Sequence, residues 1–434
     1  MRIAVFTDTY LPEVNGVVTS IEAHSRLLAA RGHAVLIVCP RYADGPTHGT
    51  PGVHVKRYAS FSFATNQATR IALPSARSVA STLRRFGPDV VHIHTPLSIG
   101  VVGLAATKML RLPNVQTYHT YIPDFMVYLE PQRLLRLDTL QERIADSLIF
   151  ERMFRSDAWQ LLARTRDEGE DAVESIRRAA RVVLGGGEPD ERLVLSARVA
   201  WQYTRALYNR ADLVLTPSTM LRHELVRHGV TAPVEYLSNG IDRRIVAPKR
   251  SYAPTGRLLH AGRLGHEKNV DRAVGAFGRV LERFPDHTLD IVGDGPAREG
   301  LERLIARLGL AERVRLRGFM DRRALGRIYR DYDLFVTAST IETQGIVLLE
   351  AMTAGLPIVG VRALAIPELV RHGRDGLLVV PGDEAGLAQA IERLLADESL
   401  RRRFGEACRE DVRPHALESV VSRMEDVYAR VTHG

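Results

Sequence analysis

Two doubly wound α/β domains in tandem, each a parallel sheet covered by helices on both faces, are the fold this sequence predicts. Three observations predict it. Short apolar runs rich in β-branched residues alternate with helix-length amphipathic stretches. The 434 residues are too many for one ordinary domain. The alternation stops at a polar stretch with two prolines, RRIVAPKRSYAPTG (243–256), which reads as a linker, and then starts again.

The elements follow in order. IAVFT (3–7) reads as a buried strand, followed by a loop with Pro12, Asn15 and Gly16 and a helix that Gly32 ends. AVLIV (34–38), DVVHI (89–93) and VQTYH (115–119) read as further strands. From about 122 to 210 the pattern is long, charged and amphipathic, a helical insertion at about 125–205 with a loop at GGGEPDE (185–191). DLVLTPS and VEYLSNGID restore the strand rhythm, and RLLHAGR, TLDIVGDG, VRLRGF, DLFVTAS, PIVGV and GLLVV give the second series. A closing helix, ALESVVSRMEDVYARVTHG, is expected to pack across the linker. The domains are therefore set at 1–245 plus the helix 415–434, and at 250–412.

Composition narrows the function classes. Hydrophobic content of 45% and charged content of 25% describe a globular protein. Cys39 and Cys408 are the only cysteines, too few for a disulfide framework or a Cys-rich metal site, which fits a reducing cytosol. The first apolar run is too short for a signal peptide, and no stretch nears the roughly 20 residues of a membrane span. The net charge of +8 is concentrated: residues 45–88 hold no acid but carry Lys56, Arg57, Arg70, Arg77, Arg84 and Arg85. Arg70, Arg77 and Arg84 recur every seventh residue, so a helix would bring them near one face. Such a segment suits an anionic membrane surface, with Phe61 and Phe63 able to dip into the interface, or is a solvated face. Nucleic acid is not expected, because no recognised motif is present and the excess is diffuse elsewhere.

In open α/β sheets ligands sit beyond the carboxyl ends of the strands, and two such domains make a cleft there. Gly16 follows the first strand, where it lets backbone amides approach a phosphate or simply makes a tight turn. His119 ends a strand and meets a sugar hydroxyl or leaving oxygen, or is a satisfied polar side chain. Arg263 and Lys268, five residues apart after RLLHA, suit a diphosphate, or are solvated cations. In IETQGIVLLE, the amides of Thr343, Gln344, Gly345 and Ile346 open a helix and suit an anionic or hydroxyl-rich ligand. Glu342 and Glu350 flank them. Glu350 sits among apolar residues, and a buried carboxylate requires partners. GDGP (293–296) reads as a turn. DYD (331–333) precedes its strand, the wrong end for a site. His92 and His94 alternate as two metal ligands would, with no third evident, so no metal is expected.

FTDTYLPEVNGVVTSI, HIHTPLSIG, TYHTY, DLVLTPS, SNGID, HAGRLGHEKN, VGDGP and ETQGIVLLEAMTAGLPIVG, in this order over nearly the whole chain, resemble the retaining glycosyltransferases of family 4, which have the two-domain GT-B fold. The resemblance implies that Arg263 and Lys268 hold a nucleotide diphosphate and that Glu350 binds ribose. It implies that Glu342 and the amides after it bind the donor sugar, which His119 faces. Gly16 would approach the diphosphate from the first domain, and Phe319 and Met320 would lie where the base binds. The implied reaction retains anomeric configuration without a metal or cofactor. Gln344, where many members carry Phe, together with TYHTYIPDFMVYL, looks most like the bacterial diacylglycerol α-glucosyltransferases. That implies a UDP-sugar donor, transfer of a hexose with glucose as the expected one, a lipid acceptor, and a cytoplasmic place on the inner face of the membrane. A GDP-mannose-dependent mannosyltransferase, a sugar-nucleotide epimerase and a non-catalytic membrane scaffold are the alternatives.

Overall fold

The computed structural model describes residues 1–43, 49–62, 70–119, 121 and 200–433. Phe63, the loop at 185–191 and nearly all of the expected insertion lie outside these residues; residues 200–208 are helical. The chain divides into two units. One comprises Met1–Pro217, Leu221–Leu237 and Val421–Gly434, the other Ser218–Met220 and Ser238–Val420.

The first unit is built on β1 (Arg2–Phe6), α1 (Gly16–Ala30), β2 (Ala34–Pro40), β3 (Val53–Tyr58), β4 (Phe61–Ser62), β5 (Arg70–Ile71), α2 (Ala76–Phe86), β6 (Val90–Ile93), α3 (Ile99–Leu110), β7 (Asn114–Thr117), β8 (Leu213–Thr216), α4 (Thr219–Arg227) and β9 (Val234–Tyr236). Its sheet has the order β3-β2-β1-β6-β7-β8-β9, and every pair is parallel. Central strands such as β1 and β6 are almost wholly buried and mostly apolar because helices cover both faces. Phe6, Val38, Leu83, Val91 and Leu104 join one core. Each such side chain contributes about 1.5–3 kcal/mol on burial. α1 starts where the Asn15 side chain accepts the Val18 amide at 3.0 Å, and α2 where Ser75 accepts that of Ser78 at 3.2 Å.

β3 is a strand the sequence reading misses. VHVKRY carries charge because it lies at the sheet edge, where polar residues guard an open ladder. Arg70 also departs from expectation. It lies in β5, outside α2, and its guanidinium donates to the Ser60 Oγ at 2.8 Å and the Ser60 carbonyl at 2.9 Å. The Arg57 guanidinium donates to the Leu11 carbonyl at 2.9 Å. Arg77, Arg84 and Arg85 do share the exposed face of α2, and Lys56 is exposed on β3.

The second unit holds β10 (Arg257–Ala261), α5 (Val270–Val280), β11 (Thr288–Val292), α6 (Arg298–Arg307), β12 (Val314–Gly318), α7 (Arg322–Ile328), β13 (Leu334–Val336), α8 (Ile346–Ala354), β14 (Ile358–Val361), α9 (Ile366–Leu369), β15 (Gly376–Val379), α10 (Glu384–Ala396) and α11 (Glu398–Asp411). Its sheet is wholly parallel, ordered β12-β11-β10-β13-β14-β15. The stretch read as a linker is docked onto this unit. Lys249 is buried and donates to the Tyr332 carbonyl at 2.6 Å, and the buried Tyr252 hydroxyl donates to the Gly355 carbonyl at 3.0 Å. The last helix, α12 (Leu417–His433), contributes Val421, Met424, Val427 and Tyr428 to the interior of the first unit. No described helix is long and apolar enough to cross a membrane.

Candidate active site

In the second unit the strand order reverses between β10 and β13, and the crossovers leave these neighbours in opposite directions. A crevice opens at such a point beyond the strand ends. The loops that follow these two strands carry Arg263, Lys268 and Glu342. Asn269 ties the loops together: its Nδ2 donates to the Ala338 carbonyl at 3.3 Å and to Thr340 Oγ1 at 3.2 Å. Lys268 Nζ donates to Glu342 Oε1 at 2.7 Å, with each side chain less than one-fifth exposed. Burial pushes the Glu342 pKa up, but the Lys268 ammonium and its hydrogen bond hold it below the usual carboxylate value. An ammonium has three N–H donors, so two remain for a ligand. Arg263 is exposed and makes no ion pair among the described residues.

The loop that carries Arg263 rests on GDGP, which does more than turn the chain. Gly262 donates to the Val292 carbonyl at 3.0 Å, and Leu264 to that of Asp294 at 2.9 Å. Gly293 (φ 142°) lies so close that an added Cβ would stand 1.8 Å from the Gly262 oxygen. At Gly295 (φ 155°) it would stand 2.6 Å from the Leu264 oxygen. Only glycines permit this backbone-on-backbone contact.

After β13, Gly345 adopts φ 82° as the residue before α8, and the amides of Thr343, Gln344, Gly345 and Ile346 donate to no described residue. With the helix dipole behind them they form a set of anion-binding donors. The Gln344 side chain takes another job. It is buried, its Nε2 donates to Ser238 Oγ at 2.8 Å, and its Oε1 accepts the Asn239 amide at 2.8 Å. It therefore fixes the Ser238–Asn239 turn. About one turn into α8, Glu350 is buried as its apolar surroundings require, and it has partners. Arg322 Nε donates to its Oε1 at 2.6 Å and the Tyr329 hydroxyl to its Oε2 at 2.9 Å. Phe319 is 61% exposed just past β12, and Met320 packs partly against the core.

The sequence reading misses Arg322, Tyr329, Asn269 and His260. The His260 Nδ1–H donates to the Val336 carbonyl at 2.9 Å, and burial lowers its pKa. Asn269 could have been found from HEKN, since asparagine tolerates its left-handed φ of 48°. Arg322 carries no local signal, because only the fold brings it to Glu350. Asp333 of DYD accepts the Thr255 and Gly256 amides at 2.9 Å and is structural.

In the first unit Gly16 is exposed at the start of α1. His119 follows β7, buried, with its Nε2 2.8 Å from His94 Nδ1. His92 bonds Tyr428 at 2.7 Å and Thr117 at 2.6 Å, so both its nitrogens are occupied. Burial lowers the pKa of His119 to about 3 and those of His92 and His94 well below the ordinary value; His24 adds to all three shifts, and neighbouring rings of the cluster add to those of His92 and His94. Neutral imidazoles result, able to hydrogen-bond a hydroxyl without adding charge. Among the described residues no group of three His, Cys, Asp or Glu is arranged to hold a metal ion.

Comparison with known proteins identifies the family. A family model described as "Glycosyltransferase Family 4" matches residues 14–184 and 187–244, and one described as "Glycosyl transferases group 1" matches 243–411. The chain is 29% identical to a GDP-mannose-dependent alpha-mannosyltransferase of Mycolicibacterium smegmatis, over 99% of this chain and 98% of that one. It is 24% identical to the alpha-monoglucosyldiacylglycerol synthase of Acholeplasma laidlawii, over 99% and 96%. Among solved structures, the sucrose-phosphate synthase of Thermosynechococcus elongatus superimposes with a TM-score of 0.69 at 19% identity, covering 99% and 98% of the two chains.

Proposed function

The chain belongs to the family 4 glycosyltransferases, with the GT-B fold, and on that premise we propose that it transfers glucose from UDP-glucose to a membrane lipid such as diacylglycerol, with retention of configuration and without a metal ion. The observation that carries the reading is the Lys268–Glu342 pair beside the unbonded amides that open α8. Lys268, Arg263 and those amides supply donors for a departing diphosphate, the role a metal would otherwise fill. Glu342 accepts hydrogen bonds from the sugar. The bond from the anomeric carbon to the β-phosphate oxygen breaks through an oxocarbenium-like centre. The acceptor oxygen bonds to that carbon on the same face, and its proton passes to the departing phosphate.

The lipid acceptor draws support from the cationic face of α2 and from the similarity to the diacylglycerol glycolipid synthase. This reading puts the enzyme on the inner surface of the cell membrane. A second reading, GDP-mannose as donor, draws on the nearly full-length similarity to the mannosyltransferase. Transfer from radiolabelled UDP-glucose and, separately, GDP-mannose to dioleoylglycerol vesicles tests both. Labelled lipid from UDP-glucose supports the first, and labelled lipid from GDP-mannose the second. Label only in water-soluble product overturns the lipid acceptor. Turnover that EDTA abolishes and a divalent cation restores overturns metal independence.

A further inference from the structure

Glu350 is 1% exposed and two neighbours hold it, neither of them part of the sequence motif in which it lies. A carboxylate so buried stays ionised only beside a cation or several donors. Arg322 supplies the cation through Nε at 2.6 Å, and Tyr329 a hydroxyl at 2.9 Å. An ionised carboxylate accepts about four hydrogen bonds, two on each oxygen. Arg322 occupies one site on Oε1 and Tyr329 one on Oε2, so one lone pair remains on each oxygen. That pair of acceptors matches the two O–H groups of a vicinal diol. Arg322 Nη2 is enclosed without a partner among the described residues, while a quarter of the side chain remains exposed.

We propose that Arg322 is a positioning residue for the nucleotide: with Tyr329 it holds the Glu350 carboxylate in place so that the remaining lone pair on each oxygen takes the ribose diol of a nucleoside diphosphate. This rests on the nucleotide-sugar reading above. The contact is made through Nε, short of the end of the side chain, a position the terminal ammonium of a flexible lysine does not reproduce. The test is calorimetric binding of UDP and GDP, each beside its 2′-deoxy and 3′-deoxy analogues, to wild type, Arg322→Lys and Tyr329→Phe. In wild type the loss of a ribose hydroxyl is expected to weaken binding about tenfold or more, as for a hydrogen bond to a charged group. In Arg322→Lys the normal nucleotide weakens and the deoxy penalty falls towards one. In Tyr329→Phe the penalty falls less. An unchanged penalty in both variants, with thermal unfolding showing folded protein, overturns the inference and leaves the nucleotide reading standing. If Arg322→Lys does not fold, Tyr329→Phe decides by the same ratio. Wild type that binds neither nucleotide overturns both.

Discussion

Lys268 and Glu342 are each other's partner in the free protein, so their removal is coupled. Lys268→Ala and Glu342→Ala should each lower kcat/KM roughly 100- to 1,000-fold, the scale of losing one transition-state donor. The double variant should lose less than the product of the two, because each single change already breaks the 2.7 Å contact. Steady-state kinetics on all three proteins checks this, and full multiplicativity would mean the residues act separately. Both acids, and the two cations after β10, were legible in the sequence because each sits at a fixed offset from a strand end. Arg322 was not, since 28 residues separate it from Glu350 and no periodicity links them. Gln344 was legible as unusual but not as structural. Its partners, Ser238 and Asn239, come more than a hundred residues earlier in the chain.

At the scale of elements, the loops after β10 and β11 behave as one piece. Gly293→Ala places a methyl against the Gly262 carbonyl and should destabilise the protein by roughly 2–3 kcal/mol while moving the Arg263 loop. Urea unfolding together with the KM for donor reads both effects; a stable variant with unchanged KM would show that the loop position does not matter. On α2, replacing Arg77, Arg84 and Arg85 with Ser should weaken binding to anionic vesicles by about 3 kcal/mol, roughly a hundredfold. Raised salt should shrink the difference, and unchanged vesicle sedimentation would reject this face as the dock. Strand–helix alternation was legible wherever both faces of a strand are buried. It failed at β3, whose edge position admits Lys56 and Arg57, and at 243–256, where polar residues and prolines conceal a segment anchored by Lys249 and Tyr252.

For the molecule as a whole, buried histidines contribute to the response to acid. His92, His94 and His119 have folded pKa values depressed by burial, while the unfolded chain takes up protons near 6.5. The unfolded state therefore binds more protons as the pH falls. Stability is fully present above about 6.5 and is lost towards about 3, by up to about 1.4 kcal/mol per pH unit for each such ring. Urea midpoints measured from pH 7 to 4 should fall, and His94→Gln should flatten that fall; identical slopes would remove the cluster as its source. Two parallel sheets could be read from sequence at this scale, but the return of the last helix to the first unit could only be expected, because nothing local in its sequence names the surface it covers. That return has a consequence during synthesis. Tyr428, which donates to or accepts from His92, emerges from the ribosome only after the entire second unit. The first unit is translated early yet must wait, its last apolar face uncovered, for residues made some two hundred positions later. A nascent chain stalled at 420 should accordingly bind chaperone longer than one released at full length.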